Sequence, residues 1–373
     1  MLHLDEKRWL EVRQGVDEAL HERLTLAFLG SASCGKDSAI RVLFGVDFGE
    51  INPIPGSTAE LRVASLTADQ RFLVVNAPGF GDLRPEVDQV GRQILESLDL
   101  VLYILNAEGG ATRQCRDDLD SIRARARGTL PTLVCINKID LIRPEQRDRF
   151  IENTLHQLGV ERQNAVVCAF DPLPQISEQP LGVSEVIAWV HDHLADSGKD
   201  LLFAKHLRNK SAACEYIIQK AAKVAAAAGA IPVPGADLAA VGLIQVRMVE
   251  EIATIHDQRL ERKVVVWLVG ELLAGGSKGF IRWAIEALKA AGWLPGTQLV
   301  HVATSALGAT IASACTIGIG HAAIRYMQAD ETPEIDELRQ VFDTLATAYV
   351  SRQGVSTLVT AMNEDEAPPV RRP

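Results

Sequence analysis

Gly30-Ser31-Ala32-Ser33-Cys34-Gly35-Lys36-Asp37-Ser38 follows the apolar run Leu24-Thr25-Leu26-Ala27-Phe28-Leu29 and precedes the helical pattern Ala39-Ile40-Arg41-Val42-Leu43-Phe44. Apolar strand, loop framed by two glycines and closed by lysine, then helix is an order with a physical consequence. Such a loop turns its backbone N–H groups inward, and the helix that follows adds the partial positive charge of its N-terminus. Together they suit a cradle for phosphate groups. Lys36 is placed to reach β- and γ-phosphates, and Gly30, Ser31, Ala32, Ser33, Cys34, Gly35, Lys36, Asp37 and Ser38 form the candidate cradle. A hydroxyl side chain that binds Mg²⁺ ordinarily follows the lysine. Here Asp37 stands in its place.

The length of 373 residues suggests two domains, or one with a large appendage, and 47% apolar residues are ample for packed cores. The net charge of −10 argues against broad nucleic-acid binding. Six cysteines (Cys34, Cys115, Cys135, Cys168, Cys214 and Cys315) lack the close pairing of a metal site, so reduced thiols in a cytosolic protein are expected. The opening stretch Met1 to Leu10 is charged from the start, and a secretory leader is not expected. An amphipathic helix over residues 1–23 is expected instead, with Leu4, Leu10, Val12 and Val16 docking on the next domain.

Outward from the loop, apolar runs at 24–29, 61–66, 72–75, 100–105, 132–136 and 165–168 alternate with helical patterns at 87–98, 113–127, 147–158 and 183–194. This alternation predicts an α/β domain over residues 24–197, with a mostly parallel sheet and helices on both faces. Ligands of such sheets gather at the carboxyl ends of the strands. After residue 197 the strand signals fade. Helical patterns at 205–228, 237–256, 264–274, 280–291 and 299–327 predict an all-α domain over 198–330, and 331–373 reads as a terminal helix (335–350) with a polar tail.

Asn137-Lys138-Ile139-Asp140 directly follows the run Leu133-Val134-Cys135-Ile136. A carboxylate at a strand end can accept two hydrogen bonds from guanine N1–H and its 2-amino group, a donor pair that adenine lacks. Each such bond contributes about 1.5–3 kcal/mol. Lys138 would lay its stem on the base, and Asn137 would tie this loop to the phosphate loop. Between the two motifs lies Val74-Val75-Asn76-Ala77-Pro78-Gly79-Phe80-Gly81-Asp82, where Gly79 would let the backbone approach a γ-phosphate. In Pro53-Ile54-Pro55-Gly56-Ser57-Thr58, Thr58 would place its hydroxyl on Mg²⁺ and the γ-phosphate. Cys168-Ala169-Phe170 would offer a backbone N–H to guanine O6.

These five elements resemble, in order and spacing, the five G-motifs of the translation-factor-related P-loop GTPases, nearest to Era-like and dynamin-like members. The resemblance covers residues 24 to 194 and implies a switch that binds GTP and GDP with Mg²⁺ and hydrolyses GTP. Lys36, Thr58 and Gly79 would serve the reacting phosphates, and Asp37, Thr58 and Asn76 would frame the metal. Asn137, Lys138, Asp140, Cys168 and Ala169 would hold the base. Two departures from the family pattern occur together: Asp37 replaces the metal-binding hydroxyl, and Asn76 replaces an acidic residue. One carboxylate is gained and one lost at what should be a single metal. A compensating swap is one expectation, and a degenerate site that cannot turn nucleotide over is the other. Phe80 stands where some relatives carry a water-orienting glutamine, which implies slow intrinsic turnover.

The helical half, with Gly229-Ala230-Ile231-Pro232-Val233-Pro234-Gly235-Ala236-Asp237, resembles an uncharacterised domain that bacteria fuse to Era-like GTPases and link to the inner membrane. Residues 302–320 are uncharged but rich in Ala, Gly, Ser and Thr, and are read as a buried helix ahead of a membrane segment. His191-Asp192-His193 is read as a solvated helix end rather than a metal site. The expectation is a cytoplasmic nucleotide switch controlling its helical domain. Self-association, a protein partner and peripheral or integral attachment at the inner membrane stand as further expectations. The alternative is a non-hydrolysing nucleotide-binding scaffold.

Overall fold

The computed structural model describes residues 5–47, 62–77, 96–125, 129–230, 236–273 and 300–365. They divide into two compact units, residues 18–213 and residues 1–17 with 214–373. The sequence reading had set its boundaries at 23 and 197.

The first unit carries β1 (Leu24–Leu29), α2 (Lys36–Phe44), β2 (Arg62–Ser65), β3 (Phe72–Ala77), β4 (Leu100–Asn106), α3 (Arg113–Arg125), β5 (Thr132–Asn137), α4 (Pro144–Leu158), β6 (Ala165–Val167), α5 (Val183–Leu194) and α6 (Asp200–His206), preceded by the end of α1 (Glu6–His21). The strands form one sheet in the order β2-β3-β1-β4-β5-β6. Every neighbouring pair is parallel except β2 with β3. The expected mostly parallel α/β sheet is present. All six residues of β1 are buried, as a central strand covered on both faces requires.

Alternate residues of β1 serve opposite faces of the sheet. Ala27 and Leu29 join Val75, Tyr103, Val134 and Ile136 in one apolar cluster, completed by Leu119 and Ile122 of α3 and Leu155 and Leu158 of α4. On the other side, Phe44 makes edge-to-face contacts with Phe28, Phe72 and Phe203 at centroid distances of 6.2, 5.5 and 5.9 Å. His191 packs edge-on to Phe203 at 5.0 Å and is fully buried, so the solvated reading of this histidine is corrected. It faces inward because α5 turns Val186, Ile187, Val190, His191 and Leu194 to the core at helical spacing. His193 instead stacks on Trp189 at 3.7 Å.

In the second unit, α1 buries Trp9, Val12 and Val16, whereas Leu10 is 58% exposed. Of the expected stripe, Val12 and Val16 are buried, Leu10 is not, and Leu4 lies outside the described residues; Trp9 joins the buried side at helical spacing. Several polar contacts of this helix run to the helical unit itself. Arg13 donates to Leu260 O at 3.0 Å, lies 3.8 Å from Glu250 and sits over the Trp9 ring; Arg259 pairs with Asp17 at 3.2 Å.

The remaining helices are α7 (Lys210–Gly229), α8 (Ala236–Ile255), α9 (Arg262–Glu271), α10 (Val300–Gln328) and α11 (Ile335–Asp365). One helix was expected over 205–228; two form. The break falls where Arg208 N–H donates to Leu43 O, and Asn209 caps α7 by accepting the Ala212 amide at 3.1 Å. The expected helix over 280–291 lies outside the described residues. α11 runs to Asp365, well past the expected end at 350.

Small residues set the spacing around α10, which packs against α8 and α11. A Cβ on Gly308 would stand 2.2 Å from the Gly229 carbonyl oxygen, and one on Gly318 2.6 Å from Phe342 Cδ2. Within this close packing the hydroxyls are satisfied: Ser313 donates to Ala222 O, Thr316 to Ala312 O, and Gln245 donates to Thr316. Residues 308–320 of the uncharged stretch thus lie largely buried within α10. No helix among the described residues is long and apolar enough to cross a membrane.

Gly308→Val should lower the unfolding free energy by about 1–3 kcal/mol, because the obstructing atom belongs to backbone; urea titration measures it. A second effect concerns Glu250, which is 4% exposed. Burial pushes its carboxyl up to about 7, against the pull of Arg13. The folded state then holds a proton that the unfolded chain has released above its ordinary value of 4.5. Glu250 therefore removes stability as pH rises from about 4.5 to 7, by at most about 1.4 kcal/mol per pH unit. Denaturant titrations from pH 5 to 8 should show this loss in the native chain and a flatter profile in Glu250→Gln.

Candidate functional site

The carboxyl ends of β1, β3 and β5 bring Gly30, Asn76 and Asn137 to one edge of the sheet. The loop after β1 winds through left-handed conformations at Ser33 (φ 57°) and Gly35 (φ 101°). Gly35 then begins α2 with no side-chain cap. The first amides of a helix have no preceding turn to bond, so they face the loop as donors. Only glycine fits position 35: a Cβ there would stand 2.2 Å from Asn137 Nδ2. Gly30 is equally constrained, with φ 141° and the Ile104 carbonyl oxygen 2.2 Å from any Cβ.

Asn137 joins the two halves of the site. Its Nδ2 donates to Cys34 O at 2.8 Å, and its Oδ1 accepts the Phe170 amide at 3.0 Å. One buried carboxamide thus fastens the loop after β1, the end of β5 and the loop after β6. Lys36 Nζ donates to Gly30 O at 2.7 Å and to Ser31 O at 2.8 Å. The Cys34 thiol is buried, which raises its pKa, and Lys36 pulls the other way. Burial likewise raises the Cys168 thiol, with Cys135 beside it adding to the effect. All six cysteines are free and buried.

Asn76 Nδ2 donates to Asp37 Oδ1 at 2.6 Å. The two residues whose identities depart from the family pattern are therefore in direct contact. With its amide nitrogen committed, Asn76 keeps its carbonyl oxygen, and Asp37 keeps Oδ2. Two oxygens are the donor type that a hard cation such as Mg²⁺ takes, while the lysine and the helix N-terminus beside them are positive and suit the phosphates that would accompany it. Among the described residues no group of three or more His, Cys, Asp or Glu is placed to hold a metal without such a ligand.

A cavity of about 360 Å³ opens here, lined by Ser33, Gly35, Lys36, Asp37, Ser38, Asn137, Lys138 and Asp171. It gathers most of the candidate phosphate loop and the start of the base motif. Ser31 and Ala32 are exposed and do not line it. Asp140 is buried, 7% exposed, and its Oδ2 accepts the Leu173 amide at 3.1 Å. Cys168 and Ala169 are buried too. The expected free N–H toward guanine O6 is corrected. Cys168 N donates to Ile136 O, Ala169 N to Leu181 O, and Phe170 N to Asn137 Oδ1. These amides hold the loop in place instead. Thr58 and Gly79, with Phe80, lie outside the described residues.

Two residues of the site escaped the sequence reading. Asp171 lines the cavity and pairs with Arg41 of α2 at 3.3 Å. Glu108, in the turn after β4, lies 3.9 Å from Lys138 Nζ. The signal for Asp171 was its position directly after Cys168-Ala169-Phe170; nothing in the local pattern marks Glu108. Asn137→Ala would leave the buried Cys34 carbonyl and Phe170 amide without their partner. It should cost about 1–3 kcal/mol of stability, read by thermal or urea unfolding, apart from any effect on ligands.

Comparison with known proteins gives one match to a family model and several to GTPases. Residues 196–351 match the family model described as "Domain of unknown function (DUF697)". The chain is similar to the tRNA modification GTPase MnmE of Burkholderia lata, 28% identical over 136 residues, covering 35% of this chain and 28% of that protein. It is 30% identical over 156 residues to the tRNA modification GTPase MnmE of Bordetella petrii, covering 40% and 32%. The chain thus spans about a third of the length of these relatives. Among solved structures it is similar to a probable GTP-binding protein engB, 15% identical, covering 46% of this chain and 99% of that one with a TM-score of 0.32. The chain thus joins an α/β sheet domain, in a chain similar to GTPases, to a helical region that matches the DUF697 model.

Proposed function

We propose that this protein is a guanine-nucleotide switch that binds GTP and GDP with Mg²⁺, hydrolyses GTP slowly and controls its helical unit through the bound state. The observation that carries the reading is the Asn137 carboxamide, which fastens the candidate phosphate loop to the base motif across one 360 Å³ cavity. Similarity to GTPases supports the guanine-nucleotide class.

In this reading the amides of the loop and of the α2 N-terminus, with Lys36, hold the phosphates. Asp140 selects guanine by accepting from N1–H and the 2-amino group, and Lys138 lies along the base. Thr58 and Gly79 would sense the γ-phosphate and order two loops when it is present. Asp37 and Asn76 would supply oxygens to Mg²⁺, the carboxylate of one compensating for the amide of the other. When bound, Mg²⁺ would neutralise charge on the β- and γ-phosphates. The chain's own residues position and neutralise the phosphates. With Phe80 at the position that orients water in some relatives, turnover falls at roughly 10⁻⁴ to 10⁻² s⁻¹ without a partner. A cytoplasmic setting, with membrane contact or a protein partner through the helical unit, completes the proposal.

The second reading, a non-hydrolysing scaffold, draws on the same residue. The Asp37 carboxylate adds negative charge beside the phosphates. Single-turnover hydrolysis separates the two readings.

Calorimetric titration should give Mg²⁺-dependent GTP binding and no measurable ATP binding; binding of neither would end the nucleotide reading. Lys36→Ala should weaken GTP by tenfold or more. Asn76→Asp would set two carboxylates 2.6 Å apart and should weaken Mg²⁺-dependent binding roughly tenfold or more. Adding Asp37→Ser to that variant should recover it. Failure of the double variant to recover would refute the swap.

A further inference from the structure

Asp171 is the one wall residue of the cavity that neither the phosphate motif nor the base motif accounts for. It is 70% exposed at its side chain, and its Oδ2 is held by Arg41 Nη2 at 3.3 Å, while Arg41 is itself half exposed. An ion pair this exposed contributes at most about 1 kcal/mol, too little to explain the position by stability. Asp171 Oδ1 accepts no hydrogen bond among the described residues.

The chemistry of a guanosine nucleotide limits what such a carboxylate can face. It repels the phosphates, and it repels guanine O6 and N7, which are acceptors. The N1–H and 2-amino edge is assigned above to Asp140. The donors left are the ribose 2′- and 3′-hydroxyls. Covalent order fixes where they lie, because ribose joins the base to the phosphates. Asp171 lines the same cavity as Ser38, in the first turn of α2 at the phosphate end, and Lys138 at the base end.

We propose that the Asp171 carboxylate is the ribose-recognising group of this site, accepting hydrogen bonds from the vicinal hydroxyls of a guanosine nucleotide, with Arg41 as its positioning residue. The inference rests on the nucleotide reading above. It makes the site selective for ribonucleotides. Arg41 projects from α2, the helix whose N-terminus faces the phosphates, so it fixes the carboxylate relative to that cradle.

The test is calorimetric titration of the full chain, with Mg²⁺, using GTP and 2′,3′-dideoxy-GTP. The two ligands share base and phosphates and differ in the hydroxyls alone. The native chain should bind the dideoxy compound about tenfold or more weakly, since hydrogen bonds to a charged acceptor are at stake. Asp171→Ala should bring GTP down to the dideoxy level, so that the ratio approaches one. Arg41→Ala should reduce the ratio without abolishing it. A merely structural role would weaken both ligands equally and leave the ratio intact. Equal binding of both ligands by the native chain, or an unchanged ratio in Asp171→Ala, overturns the inference while leaving the nucleotide reading standing. Absence of binding to either ligand overturns both.

Discussion

The two hydrogen bonds of the Asn137 carboxamide hold the site together, one to the Cys34 carbonyl and one from the Phe170 amide. The residue is 2% exposed, so its alternatives to these bonds are not water but nothing at all. That makes the fastening obligatory. It also explains Gly35, whose missing side chain leaves room for Asn137 Nδ2. The distance between the candidate phosphate loop and the loop after β6 follows from this one group, because both are positioned on it.

The sheet was legible because its chemistry is uniform. Runs such as Leu24–Leu29 and Leu100–Asn106 are buried nearly throughout, and a continuous apolar run closed by polar residues has few other solutions. The motifs at Gly30, Asn137 and Cys168 were legible for a related reason: each sits at the end of a strand or directly after one, so sheet order alone delivers them to one edge. What sequence did not disclose were relations between distant residues. Arg41 meets Asp171 across 130 positions, and no local pattern marks that pair. The amides of residues 168–170 were expected to face a ligand, yet tertiary partners claim all three.

The helical half was legible in outline and less so in detail. Its apolar content is spread around the helices, so periodicity defines faces weakly, and packing is set instead by where glycines allow backbones to meet. The contact of Gly308 with Gly229 joins residues 79 positions apart and has no signature beyond composition. The break before α7 is different. Asparagine is a common N-cap residue, and Asn209 caps α7 within a stretch whose helical pattern runs on from either side. His191 shows the same limit: a histidine at an apolar helical spacing is a core residue when an aromatic ring such as Phe203 stands opposite.

The contact between Asp37 and Asn76 constrains how such a site can arise by descent. Take an ancestor with the family pattern, a hydroxyl at 37 and an acid at 76. Changing position 37 first would set two carboxylates 2.6 Å apart; changing position 76 first would leave the metal position without a carboxylate. On the proposed metal reading, either single intermediate would be worse than both ends of the path. If the two residues share one Mg²⁺ as proposed, the positions would be coupled, and a lineage that had crossed would be held on its side by the same barrier. On that proposal the pair would be a historical ratchet as much as a chemical arrangement.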